Sequence, residues 1–86
     1  MITDQAVARY TDAIIAMIDA DIAIGVLPTG IATFGELHDH VDANEYLQEA
    51  GVPFGTDPDA GTDGCEAVNA VAAEVERQLA ARATAS

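Results

Sequence analysis

The sequence predicts an all-α fold, a small three-helix bundle with a long loop between its second and third helices, and three observations carry that expectation. Apolar residues recur at three- and four-residue intervals over three stretches, a capping residue opens each stretch, and half of the 86 residues are apolar with only four Phe or Tyr and no Trp. A core of Ile, Val, Leu, Met and Ala suits helices that approach one another closely. Eighty-six residues make a single domain, residues 1–86, and such a chain buries only about two-thirds of the surface its unfolded form exposes.

Helix 1 is expected over about residues 4–24. Thr3 is placed to cap it and Asp4 suits its positive end, while Val7, Tyr10, Ile14, Met17 and Ile18 form the apolar stripe. Ile15, Ile22 and Ile24 widen that stripe, Gly25 is a natural left-handed terminator with Val26 placed for the accompanying apolar contact, and Pro28 blocks continuation.

Helix 2 is expected from 34 to 43, with a possible further turn to 50. Thr33 and Glu36 have capping-box spacing, and Ile31 or Ala32 adds an apolar clamp. Phe34, Leu37, His38 and Val41 then line one face. A continuous helix would swing Tyr46 and Leu47 off that face, so an irregularity is expected near Asn44, a residue that tolerates the left-handed conformation.

Residues 51–62, GVPFGTDPDAGT, have turn composition and no helical period; they read as a loop pinned to the core by Val52 and Phe54. Asp63 and Glu66 repeat the cap spacing, and Cys65, Val68, Ala72, Val75 and Leu79 give the seam of helix 3, expected over 64–82 with a fraying tail.

Fifteen acids against three arginines and no lysine give a formal net charge of −12, which repels phosphate backbones and anionic membranes and so excludes direct nucleic-acid binding and membrane adhesion. Cys65 is alone, so a reduced compartment is the simplest setting. No basic segment precedes an apolar run at the N-terminus, and residues 13–27 are interrupted by Asp19 and Asp21 and are too short for a bilayer. A soluble cytoplasmic protein is expected.

Both histidines fall within FGELHDHVDAN, residues 34–44. HDHVD looks like the opening of the metal signature of metallo-β-lactamase-type hydrolases, but Ala43 stands where the last His is needed and the chain is too short for that fold. On a helix, residues two apart diverge by about 200°, so His38 and His40 cannot grip one ion. His38 and Asp42 can meet at i, i+4, yet two ligands make no zinc site. His38 therefore reads as a half-buried structural residue bonded to Asp42 or a neighbouring carbonyl, and His40, Asp39 and Glu36 as surface. DPDAGTDG, residues 57–64, lacks a side-chain ligand and the closing Glu of a calcium loop when registered on Asp59, and the required Gly when registered on Asp57. Cys65 reads as a small core residue at the head of the seam. With no Gly-rich phosphate loop and no nucleophile elbow, neither an enzyme nor a cofactor is expected.

Asp19 and Asp21 face the negative end of the helix 1 dipole, at a cost of roughly 0.3–1 kcal/mol each. Arg77 and Arg82 offset them if helices 1 and 3 run parallel; otherwise they await an external basic partner.

Phe34, Leu37, His38, Asp39, Asp42, Ala43 and Asn44 together resemble a stretch of short proteins of actinobacteria and their phages, in which an apolar residue precedes L-H-D-x-x-D-A-N. It covers about a fifth of the chain, and the absence of lysine beside abundant Ala, Asp, Gly and Val suits a GC-rich genome of that kind. The resemblance implies no activity.

The expected function is that of a small acidic protein–protein interaction module, phage or mobile-element encoded, with Ile15, Asp19, Asp21, Ile22 and Ile24 as the contact residues. A homodimer is expected, because Ile15, Ile22 and Ile24 flank the stripe and would stay partly exposed in a three-helix monomer. The alternatives are a DNA-mimic inhibitor, which needs acids clustered on one face, and a metal-binding protein using His38, His40 and Asp42. Whatever the partner, the charge has a physical consequence. Uncompensated acids repel over about 30 Å at 0.01 M ionic strength and about 10 Å at 0.1 M, so the melting temperature should rise on adding NaCl, and a flat or falling response would show that the acids are already paired.

Overall fold

The computed structural model describes residues 3–52 and 64–85, and among these every regular element is a helix: α1 (Asp4–Ala23), α2 (Phe34–His38), α3 (Asn44–Ala50) and α4 (Gly64–Ala85). Phe54, the loop acids Asp57 and Asp59, and the cap Asp63 lie outside the described residues, as does the side chain of Cys65.

The helix ends follow the local chemistry. Thr3 is extended and its hydroxyl accepts from the Ala6 amide at 3.1 Å. At the far end of α1 the Gly25 amide donates to the Ile22 carbonyl and the Val26 amide to that of Asp21, with Gly25 at φ 85, which is the Schellman arrangement. Val26 was expected to supply the apolar contact there. It is 47% exposed, and the next residue, Leu27, is the buried one because its amide also reaches the Asp21 carbonyl and turns the side chain inward. Thr33 caps α2 by accepting from Glu36 N–H at 3.1 Å, and the Glu36 carboxylate reaches back to the amide of Ala32, one residue beyond the cap itself.

The helix expected over 34–43 covers only Phe34–His38, and the possible further turn to 50 is a separate helix. α2 stops at His38, the His40 and Val41 amides both close on the Leu37 carbonyl, and α3 begins at Asn44. No described residue other than glycine has positive φ, so the break does not use a left-handed Asn44. It is made by the turn over 39–43, and its reason is burial: re-aiming the chain brings Leu37, Ala43, Tyr46 and Leu47 all into the core. α3 then ends in a second Schellman arrangement, with Gly51 at φ 87, its amide on Gln48 and the Val52 amide on Leu47. Val52 is buried, as expected of a residue that pins the following segment.

α1 and α4 make the most extensive pairing in the structure, and α3 packs on α1. From α1 the fully buried side chains are Thr11, Ile14 and Ile18, with Val7, Tyr10 and Met17 partly buried around them. From α4 the buried side chains are Ala67, Val71, Val75 and Leu79, a single i, i+4 ridge, whereas Val68 and Ala72 of the expected seam are only partly buried. An alternating three–four seam belongs to helices that supercoil, and a straight helix packed through one ridge presents the i, i+4 row instead. α4 also continues to Ala85, past the expected end at 82.

The pattern of apolar residues did not single out Thr11. Its side chain is fully buried and its Oγ1 has no hydrogen-bond partner. An orphaned buried hydroxyl costs about 1–3 kcal/mol, and Val has the same shape without it. Thr11→Val should therefore raise unfolding stability by about 1 kcal/mol in urea denaturation. A loss of stability would mean that the hydroxyl is satisfied in solution.

Candidate functional site

The chemistry-bearing motif is a helix–helix junction. The Phe34 amide, one of the orphan donors at the start of α2, donates to Glu76 Oε1 of α4 at 2.8 Å and so ties the junction to the long helix. Leu37 is fully buried. His38 Nδ1 accepts the Ala43 amide proton at 3.2 Å, and Asp42 Oδ1 accepts that of Asn44 at 3.0 Å. Each satisfies a backbone donor that the break between α2 and α3 leaves free.

His38 was expected half-buried on the apolar face, with Asp42 or a carbonyl as partner. Its side chain is 46% exposed and its partner is the Ala43 amide, because α2 ends at this residue and the ring turns over the next bend. Asp42 Oδ1 stands 4.0 Å from Nδ1, and a nitrogen that accepts from Ala43 has no proton to give it. Asp39, His40 and Asn44 are exposed. No group of three His, Cys, Asp or Glu side chains able to hold a metal ion occurs among the described residues.

The second cluster lies at the C-terminal end of α1, whose last turn has no basic residue of its own. Arg82 of α4 donates to Asp19 at 2.5 Å, and the Tyr46 hydroxyl of α3 donates to Asp21 at 2.5 Å. Both acids that sit at the wrong end of the α1 dipole are thus held from within the chain. Arg77 does not take part: it pairs with Glu74 one turn away on α4, and this bond, helped by Gln78, holds the Glu74 carboxyl down at about 2. Asp4, Val7 and Ala8 line a recess with Glu74 and Gln78, while Asp19 and Ile22 line another with Leu79 and Arg82. The C-terminal turns of α1 and α4 therefore lie side by side, the condition under which Arg82 reaches Asp19.

Of the isoleucines expected at a contact surface, Ile15 and Ile22 are partly buried against the core, and Ile24 is 73% exposed. The recess beside Ile22 has a volume of about 410 Å³ and is floored by Ile22, Ile31 and Leu79 between the Asp19–Arg82 pair and the turn at Thr29 and Gly30. No helix among the described residues is long and apolar enough to cross a membrane.

Sequence reasoning missed the bonds of Tyr46 to Asp21 and of Glu76 to the Phe34 amide, which join residues 25 and 42 positions apart. The available signal was the misplaced charge of Asp21, which called for a donor from elsewhere in the chain. Comparison of the chain with protein-family models, with curated proteins and with solved structures gives no match.

The Tyr46 phenol is pushed well above its ordinary value, first by burial, then by its bond to Asp21 and by the charges of Asp21, Glu49 and Glu45. A group whose pKa is raised by folding stabilises the fold below its unfolded value, here about 10, and that contribution is lost as pH rises through the folded value. Stability should accordingly fall from about pH 10 upward. Tyr46→Phe should cost about 1–2 kcal/mol at neutral pH and flatten the alkaline limb; an unchanged limb would assign alkaline unfolding to another group.

Proposed function

We propose that this chain is a small acidic helical module that acts by binding another protein, through the flank and C-terminal end of α1. The observation that carries the reading is the exposed apolar end of that helix, Ile24 at 73% and Val26 at 47%, which are the large apolar side chains left in solvent among the described residues. The half-open recess at Ile22, Ile31 and Leu79 adjoins it. By contrast, the His38–Asn44 motif is engaged in bonds to its own backbone, which supports a structural role for it. Origin in a phage or mobile element fits the short motif and the lysine-free composition.

A DNA-mimic surface needs acids free to imitate phosphates. Asp19, Asp21, Glu36, Asp42, Glu74 and Glu76 are instead engaged by Arg82, Tyr46, Ala32, Asn44, Arg77 and Phe34, which favours the plainer reading. A homodimer is the second reading, and exposed Ile24 favours it too, since a two-fold contact covers that side chain twice. The charge of −12 on each copy opposes it.

A photo-cross-linking residue at Ile24, with a control at exposed Gln48 of α3, tests the proposal in lysate of the source cells. Capture of one protein from Ile24 and none from Gln48 is expected, while capture of a second copy would select the homodimer. Equal labelling from both positions, or none together with saturable calorimetric uptake of zinc or manganese, would overturn the reading.

A further inference from the structure

The bond from the Ala43 amide to His38 Nδ1, 3.2 Å long, fixes the protonation of the ring as well as the turn. A backbone N–H only donates, so Nδ1 must present its lone pair and the ring proton must sit on Nε2. Imidazole is the side chain that changes charge between pH 5 and 8, and once protonated it donates from both nitrogens. The Ala43 amide then meets an N–H where its acceptor stood, on a residue with no exposed surface. An acceptor for the new proton is close at hand. Asp42 Oδ1 lies 4.0 Å from Nδ1, too far for a hydrogen bond to the neutral ring, and it accepts the Asn44 amide proton at 3.0 Å. A carboxylate has lone pairs for a second donor.

The other charges of the elements around the junction are held elsewhere or face solvent. Glu36 is on the Ala32 amide, Glu76 of α4 on the Phe34 amide and Asp21 of α1 on the Tyr46 hydroxyl. Asp39 and His40 beside the ring, and Glu45 and Glu49 of α3, are exposed. Among the described residues, Asp42 supplies the carboxylate within 4.0 Å of His38.

We infer that the α2–α3 junction is a proton-operated switch: neutral His38 holds the Ala43 amide on Nδ1, and protonated His38 turns its Nδ1–H to Asp42 and releases that amide. The proton comes from solvent, which the 46% exposed side chain reaches. The two states exclude each other because they compete for one nitrogen. The turn between α2 and α3 is anchored at both ends by fully buried residues, Leu37 and Ala43. Closing Nδ1 on Asp42 to a charge-assisted bond takes a shift of roughly 1 Å, which is passed to the start of α3 and so to its contact with α1. Carboxylates as a class titrate below this window, so the caps made by acids stay in place while the His38 bond is lost. The inference goes beyond the binding reading above and does not rest on it.

NMR of the full ¹⁵N-labelled chain between about pH 8 and about pH 5 tests it. At the upper end the His38 ring nitrogens should report an unprotonated, hydrogen-bonded Nδ1. As pH falls, the Ala43 amide should move with the His38 ring and lose about tenfold in exchange protection, with exposed His40 as the internal control. His38→Asn keeps an acceptor near the Nδ1 position that no proton in this range removes, and should hold the Ala43 amide protected throughout. Asp42→Asn takes away the acceptor of the protonated state and should carry the Ala43 transition to lower pH. An Nδ1–H tautomer at the upper end, an Ala43 amide still protected after the His38 ring has titrated, or an Ala43 transition that follows His40 would overturn the inference. So would a transition that survives His38→Asn or stays in place in Asp42→Asn. The first three outcomes are read on the unaltered chain, so a variant that fails to fold leaves the test intact.

Discussion

The α1–α4 contact is the constraint on which the rest of this protein depends. These are the two long helices of the structure, and without tryptophan or an aromatic cluster the core must come from Ile14 and Ile18 of one and Val71, Val75 and Leu79 of the other. Aliphatic side chains of this kind are worth about 1.5–3 kcal/mol each when fully buried. Every other element is arranged around the pair.

α2 and α3 are too short to be stable alone, and their place is fixed by specific bonds as much as by packing. Glu76 reaches from α4 to the first amide of α2, Tyr46 reaches from α3 to α1, and His38 and Asp42 close the turn between them. Leu37, Tyr46 and Leu47 then complete the core. A motif that looks chemical in one dimension is thus spent on backbone donors that a broken helix would otherwise leave without partners.

The acids divide by position. Asp19 and Asp21 at the α1 terminus and Glu74 and Glu76 of α4 are matched internally, with Arg82, Tyr46, Arg77 and a backbone amide as partners. Asp4 and Asp12, on the flank that α3 does not cover, face outward with no such partner among the described residues.

The all-α class, the start and end of α1, the Thr33 cap and the inward position of Val52 were legible from sequence because each is set by local physics: periodicity, side-chain caps and the left-handed freedom of Gly25. The need for a break before Tyr46 was legible too, since a continuous helix could not bury Tyr46 and Leu47 with Leu37. Where the chain breaks, which row of α4 faces the core, that Arg82 and not Arg77 reaches Asp19, and that Tyr46 reaches Asp21 were decided only in three dimensions. Those outcomes depend on the angle at which two long helices meet and on bonds spanning 25 to 63 residues, and no local rule of spacing encodes either. Thr11 shows the same limit from the other side: its hydroxyl marks it as polar in sequence, and its position between Ile14 and the rest of the core buries it regardless.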